Sequence, residues 1–272
     1  MGDMLTFLLL VTLPGLLIAV LVLLYLKRTY EKSEYFAATR TPYRAVRRDL
    51  GLWGEYLTFR CLRKLTGYKK FLFNCYIPKE DGALTEIDLI MLHVSGVYVF
   101  ESKNYSGWIF GNETDSQWTQ SFPSGRKEHF FNPLKQNNAH IKQLQRFLHG
   151  LAANAFRSVI VFSERCALRK ITLTNKRHIV VKRNEVLHAV MPIANLQILS
   201  TEDIDAIYQR LYMQTQLSSQ EKQAHRQRVT DIAEGRTCPY CGSPLVLQTA
   251  RNTGNQFLGC SKYPDCRYTA NI

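Results

Sequence analysis

The chain has 272 residues, of which 46% are hydrophobic and 21% charged, and its formal net charge is +13. That composition excludes an extended disordered polypeptide and leaves room for one medium domain plus something smaller. The positive excess points to a polyanionic partner, either nucleic acid or an anionic membrane surface, although a generically basic soluble protein carries the same charge.

Residues 5–26, LTFLLLVTLPGLLIAVLVLLYL, contain no charged side chain. About 20 apolar residues suffice for a helix to cross a bilayer core, and Pro and Gly are tolerated in such helices. A cleaved signal peptide fits less well. Only Asp3 precedes the run as a charge, and no small-x-small cleavage site follows. The expectation is an uncleaved transmembrane anchor over residues 1–27. Lys27, Arg28, Lys32, Arg40, Arg44, Arg47 and Arg48 come next, opposed by Glu31, Glu34 and Asp49. Basic residues stay on the cytoplasmic side, so the sequence predicts a single-pass inner-membrane protein with its C-terminal domains facing the cytoplasm. Residues 28–46 read as a basic juxtamembrane linker, each Lys or Arg contributing about 1 kcal/mol near anionic headgroups.

From residue 47 the pattern becomes helical, with Leu50, Trp53, Leu57, Cys61, Leu62 and Leu65 at spacings of three and four. Strands are predicted over 71–77, 86–94 and 97–103, the last two joined by a tight turn at Ser95 and Gly96. Shorter strands are expected at 108–110 and 117–120. Pro133 opens a helix through about residue 153. RSVIVFS, residues 157–163, is a near-continuous apolar run that predicts a strand buried on both faces. Residues 179–182 are a further strand candidate, and Ser200 or Thr201 caps a last helix through residue 214. This order gives an α/β domain over residues 47–214, a mixed β-sheet flanked by helices. Residues 215–236 read as a linker or an extended helix. Cys61, Cys75 and Cys166 are scattered, as small buried residues in a reducing compartment are. His93, His140 and His149 form no ligand spacing, and Trp53, Trp108 and Trp118 read as packing residues.

Two strands carry charges that a buried sheet does not need. Glu101 and Lys103 share one face of their strand, and so do Glu86 and Asp88 of the strand before it. Pairing through the tight turn sets Asp88 near Glu101. Two carboxylates on neighbouring strands can hold Mg²⁺ or Mn²⁺ against a phosphate, and an adjacent lysine can orient water and stabilise developing negative charge. Glu-x-Lys alone is a very weak motif and also describes an exposed edge-strand pair.

The wider set is more specific. Gly51-x-x-Gly54-Glu55, Glu86-Ile87-Asp88, Glu101-Ser102-Lys103-Asn104-Tyr105-x-Gly107, Gln117-Trp118 and Asn132-Pro133-x-x-Gln136 resemble, in order, the nuclease-related domain family, NERD. The resemblance covers roughly residues 47–165. That family is similar to the PD-(D/E)XK nuclease superfamily, which implies a restriction-endonuclease-like fold. It also implies catalytic metal ligands at Asp88 and Glu101 and a catalytic lysine at Lys103. Glu55 matches the additional acidic residue and Gln136 an accessory polar residue. The superfamily's adjacent Pro-Asp is missing, because Thr85-Glu86-Ile87 precedes Asp88.

The tail is a four-cysteine segment: Cys238, Cys241, Cys260 and Cys266 form two knuckles. Four thiolates suit structural Zn²⁺, and a segment this short needs the metal to fold. Disulfides or redox cysteines fit poorly with a cytoplasmic face. Cys-Pro-x-Cys-Gly, followed by Phe257-x-Gly259-Cys260-Ser261-x-Tyr263-Pro264-x-Cys266, resembles the zinc finger at the C-terminus of type IA topoisomerases over roughly residues 237–270, within a ribbon domain expected at 237–272. That resemblance implies DNA binding, often of single strands. Arg251, Lys262 and Arg267 are candidate phosphate contacts, and Tyr268 is a candidate base-stacking residue. Phe257 and Tyr263 either stack on bases or pack the ribbon's small core. The combined expectation is a membrane-anchored, metal-dependent DNA nuclease with a DNA-binding zinc ribbon. The alternatives are a catalytically inactive DNA-binding membrane adaptor and an RNA-processing nuclease.

Overall fold

The computed structural model describes residues 2–80, 82–238, 243–250 and 254–271, with the backbone alone for residues 2–13, 219, 233 and 271. The chain divides into two compact units, Met1–Cys75 with Glu86–Thr215, and Tyr76–Thr85 with Gln216–Ile272.

The first unit begins with helices α1 (Gly2–Glu31), α2 (Glu34–Thr39), α3 (Tyr43–Arg48) and α4 (Leu50–Leu62). Strands β1 (Lys69–Pro78), β2 (Leu84–His93), β3 (Gly96–Lys103), β4 (Gly107–Asn112), β5 (Gln117–Ser121) and β6 (Lys127–Phe131) follow. Then come α5 (Pro133–Phe147), β7 (Phe156–Phe162), β8 (Cys166–Thr172), β9 (His178–Lys182), α6 (Val186–Ala194) and α7 (Thr201–Tyr212). The main sheet has the order β1-β2-β3-β7-β9, and a second has the order β6-β5-β4-β8. β2 and β3 are antiparallel, while β3, β7 and β9 run parallel, so the main sheet is mixed as expected.

β7 shows why its sequence is apolar throughout. Val159 and Val161 enter one core, with Tyr56, Phe59, Leu89, Met91, Tyr98 and Phe100. Ile160 and Phe162 enter the other, with Ile109, Trp118 and Leu134. Alternate side chains of one strand thus serve two cores. Trp118 stacks on Phe162 at 6.2 Å between centroids and donates its indole N–H to the Asn112 carbonyl, the packing role expected of it.

The β2–β3 turn is built from Val94 and Ser95, with Gly96 already paired to His93. Gly96 has φ 131°, and a Cβ there would run into the Ala155 carbonyl. His93 is bound at both ring nitrogens, to Ser95 Oγ at 2.7 Å and the Thr66 carbonyl at 2.8 Å, which accounts for this histidine structurally.

Two expectations need correction. Residues 28–46 are not a linker: α2, α3 and the end of α1 fold onto the domain. Tyr30 and Tyr35 are fully buried, with Tyr30 4.9 Å from Tyr56 and Tyr35 5.0 Å from Phe73 between ring centroids. Charge marked this stretch as solvated, but its tyrosines decide its place. The α5 helix stops at Phe147, not near 153: Leu148 caps it, its N–H bonded to the Leu144 carbonyl, and Gly150 then turns the chain with a left-handed φ of 92°. Within residues 215–236, helix α8 (Ser219–Ala233) opens with a capping box between Ser218 and Glu221.

Among the described residues, no helix is long and apolar enough to cross a membrane. The expected span over residues 5–26 falls in α1, and the side chains of residues 5–13 lie outside the described residues.

In the second unit, strands β10 (Leu245–Thr249), β11 (Gln256–Cys260) and β12 (Thr269–Asn271) form an antiparallel sheet. Cys61, Cys75 and Cys166 are free thiols, and burial pushes Cys75 up to about 12.

Candidate active site and metal centre

Glu101 and Lys103 sit at the C-terminal end of β3, on one face of the strand. The β2–β3 register runs from His93↔Gly96 to Leu89↔Phe100, and one further step sets Asp88 opposite Glu101. Lys103 Nζ lies 2.8 Å from Glu101 Oε1 and donates to Gln136 Oε1 at 3.0 Å. Glu55 arrives from α4, where its Oε2 accepts a hydrogen bond from the Tyr35 hydroxyl at 3.4 Å.

Helix α5 delivers Gln136, and its own position is fixed by asparagines. Asn132 caps the helix, accepting from Leu134 N, while its amide donates to the carbonyls of Asn112, Glu113 and Asp115. Asn137 donates to the Val99 carbonyl and to Ser158 Oγ, both at 2.9 Å, which docks α5 on β3 and β7. The same helix brings a residue that sequence reasoning passed over. His140 Nε2 lies 3.5 Å from Glu101 Oε2. The available signal was spacing, since residues four apart on a helix share a face and Gln136 had already been singled out.

The electrostatics follow from this crowding. Burial raises the Asp88 carboxyl well above its ordinary value, and the neighbouring charges of Glu55, Glu101 and Glu86 raise it further. Burial, with Glu86 next, pushes Glu55 up to about 7. Glu101 behaves oppositely. Burial works to raise it, but its contacts with His140 and Lys103 prevail and hold it below the usual carboxylate range. Burial works to lower Lys103, yet Glu101 holds it above the ordinary lysine value, so it is a cation near neutral pH. Glu101 is 5% exposed, and such a charge persists in the interior only when paired. The five singled-out residues therefore lie in one neighbourhood. Asp88 and Glu101 fit a hard divalent cation, since Mg²⁺ is typically held by one or two carboxylates while keeping several waters.

The tail builds a different centre. Cys238, Cys260 and Cys266 place their sulfurs within 4.8 Å of one another, the one such group of three or more ligand residues among the described residues. Cys238 Sγ and Cys266 Sγ are 3.6 Å apart. Four thiolates about 2.3 Å from one Zn²⁺ have sulfurs about 3.8 Å apart in a tetrahedron, whereas a disulfide needs about 2.05 Å. The spacing fits zinc. The Lys262 N–H also donates to Cys260 Sγ at 3.5 Å, as backbone amides do around a thiolate centre. Cys241 and Arg251 lie outside the described residues. Lys262 and Arg267 are exposed, and Tyr263 is 68% exposed, so Tyr263 is not a core residue. Phe257, Tyr263, Arg267 and Tyr268 line one cavity of about 590 Å³.

Comparison with known proteins agrees with both halves. Residues 50–163 match the nuclease-related domain, and residues 235–272 match the topoisomerase DNA binding C4 zinc finger. An uncharacterised protein of Bacillus anthracis is 32% identical over 159 residues, covering 58% of this chain and 73% of that protein. DNA topoisomerase 1 of Mycoplasma pneumoniae is 44% identical over 34 residues, which is 12% of this chain and 5% of that enzyme. No solved structure matches the chain. The chain belongs to the nuclease-related domain (NERD) family and carries a topoisomerase-type C4 zinc ribbon. The domain points to a nuclease-like enzyme, the ribbon to DNA binding, and the cysteine cluster to zinc.

Proposed function

We propose that this protein is a membrane-anchored, metal-dependent nuclease that hydrolyses DNA phosphodiester bonds and grips DNA in part through its zinc ribbon. The observation that carries the reading is the Lys103 ammonium held between Glu101 and Gln136, with Asp88 opposite Glu101 in strand register. A divalent cation held by Asp88 and Glu101 would neutralise phosphate charge and acidify a bound water. Lys103 stabilises the negative charge that develops as the phosphorus is attacked, and Gln136 keeps its ammonium aimed. Glu55, ionising at about 7, is suited to accept a proton from the attacking water and return it. The aromatic and arginine side chains of the ribbon cavity suit single-stranded nucleic acid, which offers both phosphates and base faces.

Binding without cleavage is the second reading, and one observation favours it: both oxygens of Glu101 are already engaged, Oε1 by Lys103 and Oε2 by His140. Incubation of the full chain with Mg²⁺ or Mn²⁺ and duplex DNA, single-stranded DNA or RNA separates the readings. Metal-dependent DNA cleavage is expected, with Asp88→Asn and Lys103→Met each slowing it at least about a hundredfold. No cleavage leaves the binding role, and wild-type cleavage by Asp88→Asn overturns the proposed site. Preferential RNA cleavage reassigns the substrate.

The anchor rests on α1. Leu16, Leu17, Ile18, Leu21, Leu23 and Leu24 are each at least 55% exposed, an apolar surface that a bilayer would cover. Flotation of the full chain with anionic vesicles, lost when residues 1–26 are removed, is the expected result.

A further inference from the structure

The parallel strands β3, β7 and β9 all end on one edge of the main sheet, and the residues just past those ends meet in a cleft. Asn104 follows β3, Ser163 follows β7, and Arg183 follows β9; the opposite wall comes from Arg47 and from Trp53 on α4. The cleft measures about 360 Å³ and also takes in Arg165 and Glu164. In open α/β sheets, ligands bind outside the carboxyl ends of the parallel strands. The Glu101 and Lys103 site lies at that same end of β3, and Glu55 is on the same helix as Trp53. The cleft therefore flanks the candidate active site.

Its chemistry is cationic and planar. Arg47, Arg165 and Arg183 outnumber Glu164. Arg47 is exposed and lies over the Trp53 ring at 4.5 Å, which keeps the guanidinium flat and positioned. Arg165 is exposed, and its Nη2 donates to the Asn104 carbonyl at 2.7 Å and to Asn104 Oδ1 at 3.0 Å. Both bonds come from one nitrogen of a five-donor fork, so donors remain for a ligand. Arg183 is 4% exposed; its Nη1 donates to Glu164 at 2.8 Å, and its Nε is buried with no hydrogen-bond partner among the described residues. A buried, unsatisfied guanidinium N–H is costly and marks a place where an acceptor is wanted. Gly54 contributes by having no side chain, since a Cβ there would press on Arg183 Nη2 at 3.3 Å.

We propose that this cleft binds the sugar–phosphate backbone of nucleic acid and guides the strand to the Asp88, Glu101 and Lys103 site, with Arg47 and Arg165 as its phosphate contacts. The inference rests on the nuclease reading and assigns DNA contacts outside the zinc ribbon. Arginine forks match phosphate oxygens, and backbone contacts of this kind carry no sequence preference.

The test measures fluorescence anisotropy of labelled duplex and single-stranded DNA with the full chain, without divalent cation, across a range of salt. Arg47→Gln and Arg165→Gln are each expected to weaken binding about five- to tenfold, equally for unrelated sequences. Each should reduce the slope of log affinity against log salt by about 0.7 to 0.9. Arg47→Lys, which keeps the charge, should retain the wild-type slope. Arg47 makes none of the Asn104 bonds, so its variants also separate phosphate binding from any local effect of losing Arg165. If the double glutamine variant binds with wild-type affinity and slope while the wild type binds DNA, the cleft is overturned and the DNA reading stands. A wild-type chain that binds no DNA removes both. If the substitutions instead abolish binding to phosphatidylglycerol vesicles and leave DNA affinity intact, the cleft serves lipid phosphate and the inference fails.

Discussion

Glu101 is the residue on which the candidate site turns, because a carboxylate this buried must be paired. Its two oxygens answer to two different elements, Lys103 on its own strand and His140 on α5. Removing one partner of a buried pair leaves the other charge stranded, so Lys103→Met should cost about 3 kcal/mol of stability. The double variant Glu101→Gln/Lys103→Met should cost less than the sum of the singles, a coupling that denaturant unfolding of all four chains would read. Glu55 gives a prediction of opposite sign to an ordinary salt-bridged acid. Its folded value is raised to about 7 from 4.5, so the folded state holds its proton more tightly than the unfolded chain. The stability this contributes is complete below pH 4.5 and is lost as pH rises through about 7. Glu55→Gln should therefore raise the thermal midpoint at pH 8 relative to wild type, in the absence of added divalent cation, and give no such gain at pH 4.5 or below.

At the scale of elements, α5 is the part that makes the site more than a strand end. The helix contributes Gln136 and His140, and Asn132 ties its N-terminus to three carbonyls at the end of β4 and in the turn to β5. Asn132→Ala removes the cap and the amide's bonds to three part-buried carbonyls, which should cost about 2 kcal/mol. It should also lower cleavage by the folded fraction, because a displaced Gln136 no longer aims Lys103. A variant that loses stability but cleaves normally per folded molecule would show that α5 need not be held so firmly. The hairpin of β2 and β3 was legible beforehand because alternating apolar residues and a glycine turn specify register locally. The contributions of β6 and β8 were not legible. β8 is half exposed and basic, and it joins the second sheet by pairing with β4, which is distant in sequence. His140 read as an ordinary histidine for a related reason: a lone histidine on a polar helix carries no signal until its partner strand is known.

The whole molecule shows where chemical labels mislead. Residues 28–46 are basic, but Tyr30 and Tyr35 are fully buried against Tyr56 and Phe73. A chain beginning at residue 28 should fold as the full chain does. One beginning at residue 47 loses both tyrosines and exposes Tyr56, Phe59 and Phe73. Each large buried aromatic lost costs about 3 kcal/mol or more, so the shorter chain should be aggregated or unfolded by circular dichroism and size exclusion. Equal stability of the two would return this stretch to the status of a linker. Zinc gives the other test at this scale. Chelation should release the metal and open the ribbon to protease, because a sheet of three short strands has too little core to persist alone. The main domain should remain protected through the same treatment.

The sequence by itself determined what is local or covalently ordered: the hairpin period, the apolar run of β7, the knuckle cysteines, and the motif order that marks the nuclease-related domain. These are readable because side-chain direction alternates along a strand and metal knuckles are short-range. Only the tertiary structure decided which distant groups meet. It placed Gln136 against Lys103 and His140 against Glu101, buried the tyrosines of a basic segment, and gathered Arg47, Arg165 and Arg183 at the ends of three parallel strands. Those contacts depend on strand order and helix docking, and no residue's neighbours in the chain encode them.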